Sequence, residues 1–271
     1  MLALAGIGAI YLVLVATVFA PVNTHGTRVE HLTIHSKAVG EDLGVSVVVP
    51  AGGGSGRKRP LLVFLHGRGG SDRTFTEDES MFRALGQLGA RAPIVAFPDG
   101  GEHGYWHNRA EGDWGAYVMR EVIPQVTQRF GADPSRIAIG GISMGGFGAY
   151  DLALLHPGRF CAVGGHSPAL WFEGGETAPG AFDSAEDFER NNVVAAVRAD
   201  PGAFGEIPIW NDYGSEDPFR VYDEGFVEDL GAGNVDLSAH SWPGGHDDSY
   251  WNSHWHAYLR FYADALAHCA S

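Results

Sequence analysis

From Leu61 onward the apolar positions fall in short unbroken runs separated by amphipathic or glycine-rich stretches. Leu61–Leu65 (LLVFL) and Ile94–Phe97 (IVAF) read as strands buried on both faces of a parallel sheet. Ile137–Ile139, Cys161–Gly164, Ile207–Tyr213 and Val235–Ser241 continue the series. Between them, Glu79–Leu88 carries helix signals. Trp114–Phe130 sets Trp114, Val118, Val122, Val126 and Phe130 four residues apart, on one helical face. Pro124 inside that stretch predicts a kink. Tyr250–Ala267 predicts a closing helix with Trp251, Trp255, Tyr258, Phe261 and Tyr262 turned inward. Ahead of the series, His31–His35 alternates and Val45–Val49 is β-branched, which predicts an antiparallel opening pair across Gly40-Glu41-Asp42. Strand and helix then alternate, so the fold class is α/β, with a mostly parallel sheet covered on both faces.

Three stretches break the pattern. Leu2–Ala20 is apolar throughout, and at about 1.5 Å per residue it approaches the roughly 30 Å of a bilayer core. No Lys or Arg precedes it and Pro21 follows it, so it reads as an uncleaved membrane anchor, with a signal peptide as the alternative. Residues 1–21 are then an anchor or signal segment and 22–271 one domain. Ala51–Arg59 is a glycine-rich solvated loop. Residues 172–206, rich in Gly, Pro, Asp and Glu, form either a cap excursion or ordinary surface loops around a helix at Ser184–Arg198.

A net charge of −15 argues against nucleic acid as a partner and suits solubility. Cys161 and Cys269 make no disulfide framework; a buried small hydrophobe and a frayed end are the expectations, with a bridge left open. His254 and His256 face different sides of a helix, and there is no H-E-x-x-H or paired-Cys motif, so no metal is expected.

The candidate chemistry starts at Gly141-Ile142-Ser143-Met144-Gly145, where a strand turns into a helix. With 39 Gly in 271 residues, composition alone yields roughly 0.3 such matches, so the setting carries the signal. The turn lifts a serine hydroxyl clear of the sheet at a helix N-terminus, where developing negative charge is favoured. An acid and then a histidine should follow the last two strands. Asp217, in Gly214–Phe219, and His246, in Trp242–Asp247, stand there; Glu216 is the alternative acid. His246 would take the proton of Ser143 and Asp217 would orient the imidazole. The backbone N–H groups of Met144 and Arg68 would hold the oxyanion. His66 is expected to steady its loop and His166 to offer a lesser pocket role. Asp247 and Asp248 read as solvated loop carboxylates, with orienting His246 as the alternative.

Several strings together resemble the esterase family of α/β-hydrolases, which includes S-formylglutathione hydrolase (esterase D), feruloyl and acetylxylan esterases, and the antigen 85 mycolyltransferases. They are His66-Gly67-Arg68-Gly69-Gly70, Tyr105-Trp106-His107-Asn108, Gly141–Ala149, His156–Phe160, Gly214–Phe219 and Gly245-His246. The resemblance runs from about Val45 to Ala267. It implies an α/β-hydrolase fold and a serine carboxylic-ester hydrolase working through an acyl-enzyme on a small-molecule or lipid ester, with no cofactor. An acyltransferase of the same mechanism is the alternative. A non-catalytic binding module on the same scaffold would have lost a triad member, and all three are present. With the apolar N-terminus, the expected location is membrane-anchored with the catalytic domain outside the cytoplasm, or secreted.

Overall fold

A computed structural model describes residues 21–52 and 58–269. Eight strands form one sheet: β1 (Arg28–His35), β2 (Asp42–Val49), β3 (Leu61–Leu65), β4 (Ile94–Pro98), β5 (Ile137–Ile142), β6 (Val163–His166), β7 (Ile209–Gly214) and β8 (Leu237–Trp242). Their spatial order is β1-β2-β4-β3-β5-β6-β7-β8. β2 pairs antiparallel with β1 and β4, and every other pairing is parallel. The expected antiparallel opening and parallel remainder are both present.

The continuous apolar runs are buried because both sheet faces are covered. Successive side chains of β3 alternate: Leu61, Val63 and Leu65 join one apolar cluster, Leu62 and Phe64 the other. The first cluster takes in α2, which runs as helix Trp114–Ala116, π-helix Tyr117–Val122 and helix Ile123–Phe130, and α3 (Met144–Leu155). The second takes in α1 (Glu79–Gln87) and α7 (Asp248–His268). In α2 the expected kink takes the form of a π-helical stretch directly before Pro124, where Ile123 N–H bonds Val118 O. Pro124 lies in the first turn after it, a position where a missing N–H costs little.

The 172–206 excursion contains α4 (Ala185–Arg190) and α5 (Val193–Ala199) instead of one helix over Ser184–Arg198. The reason is local. Ser184 caps α4 by accepting from Asp187 N (3.2 Å), and Asn192 starts a second helix by accepting from Ala195 N (3.0 Å). α6 (Arg220–Gly231) then follows β7.

Two further expectations are corrected. The strand placed at Cys161–Gly164 lies two residues later, at Val163–His166. Cys161 is neither a lone buried thiol nor opposite a frayed end: it is bridged to Cys269, with Cα atoms 5.5 Å apart across 108 residues. α7 starts beside the loops at the strands' carboxyl ends and runs back across the sheet, which returns its last residues to the lead-in of β6. In the chain-entropy account, a loop of that length contributes about 4.7 kcal/mol to stability.

The anchor expected at Leu2–Ala20 lies outside the described residues. Among the described residues no helix is long and apolar enough to cross a membrane.

Candidate active site

Ser143 sits between β5 and α3 with φ 54° and ψ −116°, a conformation L-residues rarely adopt. The strain is held by close packing on either side. A Cβ at Gly145 would overlap Leu65 O, and one at Gly141 would overlap the Gly145 backbone. Ser143 N–H donates to His166 O (3.0 Å), fastening the turn to the end of β6.

The loops after β7 and β8 supply the partners. Ser143 Oγ lies 2.8 Å from His246 Nε2, and His246 Nδ1 lies 2.9 Å from Asp217 Oδ2. The other carboxylate oxygen, Asp217 Oδ1, accepts from Phe219 N (2.8 Å). The Asp217 side chain is fully buried, while that of His246 keeps 19% of its surface. Glu216, the alternative acid, is exposed, so the carboxylate that reaches His246 is Asp217. Ser215 N donates to Trp242 O and Glu216 N to Gly244 O, both at 2.8 Å, which ties the acid loop to the histidine loop.

The loop after β3 closes the other side. A Cβ on Gly67 would stand 3.3 Å from Ser143 Cβ, so this backbone touches the serine. Arg68 follows it, and Met144 is the first residue of α3, whose N–H has no partner inside the helix. His66 is locked: its Nε2 accepts from Gly100 N (2.8 Å) and its Nδ1 donates to Gly67 O (2.8 Å). It steadies the loop, as expected.

A family model described as "Putative esterase" matches residues 36–262. The chain belongs to this esterase family. It is 28% identical to esterase Rv1288 of Mycobacterium tuberculosis over 83% of this chain, and spans 57% of that relative's length. It is 27% identical to S-formylglutathione hydrolase of Mus musculus over 70% of this chain and 74% of that protein. Among solved structures, a ferulic acid esterase superposes with a TM-score of 0.77 at 23% identity, over 88% of this chain and 98% of that one. The shared fold is that of the α/β-hydrolases.

The remaining expected residues divide clearly. His166 does not line the site. It is fully buried, with Nδ1 2.7 Å from Asp212 Oδ1 and Nε2 2.9 Å from Tyr262 OH, and burial lowers its pKa against the pull of Asp212. Asp247 is exposed, as expected, and in addition caps α7 by accepting from Tyr250 N (3.0 Å). Asp248 is the first residue of that helix. Along β8, Trp242 stacks between His240 and His254, and Trp210 of β7 packs tilted against His240. Among the described residues no group of three or more His, Cys, Asp or Glu is arranged to hold a metal ion.

Sequence reasoning gave no partners to Tyr105, Trp106 and His107. Trp106 is buried at φ 62° and donates from Nε1 to His66 O (3.2 Å), bracing the loop that touches Ser143. Tyr105 packs on Trp171 and on Phe182 of the 172–206 excursion, Trp171 packs on Phe219, and Phe219 on His246, so a run of rings connects the excursion to the site. His107 reaches Asp187 in α4 at 3.2 Å. The adjacent tryptophan and tyrosine were visible; the backbone reversal that aims them was not.

Asp151, in the middle of α3, is 2% exposed, and its Oδ2 has no partner among the described residues. Burial first, then the charge of Asp187, pushes its pKa up to about 8. A folded-state pKa raised above the unfolded value gives stability that is fully present below about pH 4 and lost as pH rises through 8. Asp151→Asn should therefore match the wild-type Tm near pH 4 and gain on it progressively up to about pH 8, in thermal melts across that range. Parallel melting curves at all pH values would show that Asp151 does not titrate in this way.

Proposed function

We propose that the protein is a serine carboxylic-ester hydrolase that works through an acyl-enzyme. The observation that carries the reading is the continuous hydrogen-bond path from Ser143 Oγ through His246 to Asp217.

In the first half-reaction Ser143 Oγ attacks the ester carbonyl carbon and its proton passes to His246 Nε2. Asp217 holds Nδ1–H, which keeps Nε2 free to accept, and stabilises the imidazolium that forms. The N–H groups of Met144 and Arg68 receive the carbonyl oxygen as it becomes an oxyanion; one such donor typically contributes about 2.7–4 kcal/mol. As the C–O bond of the alcohol breaks, His246 returns the proton to the leaving oxygen. Water then repeats the sequence on the acyl-enzyme, and the carboxylic acid and free Ser143 result. No cofactor enters any step.

The substrate is a small-molecule or lipid ester. The Cys161–Cys269 bridge supports a location in an oxidising compartment outside the cytoplasm, with Leu2–Ala20 as the anchor or signal that delivers the domain there. A panel of p-nitrophenyl esters of rising chain length tests the reading: at least one short ester should be turned over, and turnover of none would overturn it. Adding a sugar or alcohol acceptor to the same assay separates hydrolysis from transfer, since a transferase would divert the acyl group to the acceptor.

A further inference from the structure

Below the three site loops lies a carboxylate that the chemistry above does not use. Asp212, in β7, is fully buried, yet both of its oxygens are filled by donors. Oδ1 takes Trp210 Nε1–H (2.6 Å) and His166 Nδ1–H (2.7 Å). Oδ2 takes Tyr250 OH (2.8 Å) and Tyr258 OH (2.9 Å). A carboxyl group so far from water depends on such bonds, and removing one donor leaves the others to rearrange.

The donors come from the elements that carry the site. His166 ends β6, and its own carbonyl holds Ser143 N–H. The Asp212 carbonyl accepts Ser167 N–H (2.6 Å), and β7 continues from Asp212 into the loop of Asp217. Tyr250 stands four residues after His246. A Cβ at Gly244 in the histidine loop would come within 2.8 Å of the Tyr250 ring, so that loop rests on the ring. The hub is also built for: Gly140 and Gly164, opposite each other on β5 and β6, leave the space that Tyr262 OH fills beside His166.

We propose that Asp212 is a positioning residue for the site, fixing the His246 loop through Tyr250 and the Ser143 turn through His166. This rests on the catalytic reading of Ser143 and His246. The hub is not exposed and touches no substrate; it acts by holding the hydroxyl and the imidazole within reach of each other, where a displacement near 1 Å can cost about 10²-fold in rate.

The test compares hydroxyl deletions on the same oxygen. Tyr250→Phe removes the bond beside the histidine loop, and Tyr258→Phe removes its neighbour two turns along α7. The two should lower Tm by similar amounts. Tyr250→Phe should lower kcat about tenfold with KM changed by less than about twofold, while Tyr258→Phe should lower kcat by less than about threefold. Equal, small effects of both on kcat would make Asp212 a purely structural group and overturn the proposal. Asp212→Asn should carry the larger loss, and the tyrosine pair decides the question if that variant fails to fold. Normal turnover by Ser143→Ala would instead remove the catalytic reading itself, so the two failures are distinguishable.

Discussion

Ser143→Ala is expected to lower kcat by about 10⁶-fold, the scale of loss when a triad serine is removed. The fold should stand. Serine already carries a Cβ at φ 54°, so alanine adds no backbone strain and deletes only the hydroxyl that faces His246. What would remain is substrate binding and the N–H donors proposed at Met144 and Arg68, which offer no atom to receive the acyl group. The assay is p-nitrophenolate release at matched protein concentration, with melting curves to show that the variant is folded. Equal rates from variant and wild type would mean that another group does the chemistry.

Asp217→Asn should cost about 10⁴-fold in kcat, and the structure gives the reason in terms of tautomers. Asp217 Oδ1 accepts from Phe219 N, so an asparagine must turn its amide oxygen to that N–H. Its NH₂ then faces His246 Nδ1, which can only accept, and the ring proton moves to Nε2. An Nε2 that carries a proton cannot take one from Ser143. KM should change little, since no substrate contact is lost. If Asp217→Asn stays within about tenfold of wild type while Glu216→Gln loses activity, the assignment of the acid is wrong.

Much of this was legible because the determining signals are local. The runs at Leu61, Ile94 and Ile137 are apolar at every position yet only four to six residues long, which suits strands covered on both faces. Ser143, Asp217 and His246 each follow a strand end, so topology brings them together once the strands are in order. What was not legible depends on chain returning from far away. The partner of Cys161 lies 108 residues on, at the far end of a helix whose direction across the sheet fixes the meeting. Asp212 reads as an ordinary polar position within a strand; Trp210 is two residues away, but the other donors, His166, Tyr250 and Tyr258, come from a different strand and from the closing helix. The helix break after Arg190 turned on a side-chain cap at Asn192, a contest between local hydrogen bonds and helix propensity that composition does not decide.

An acyl-enzyme holds the acyl group covalently on one hydroxyl. Mass spectrometry of the wild-type protein after reaction with a fluorophosphonate tests it most directly. One adduct per chain is expected, on the peptide containing Ser143, formed far more slowly when His246 is replaced by alanine. An adduct on a different residue, or none on a folded protein that still hydrolyses esters, would contradict it.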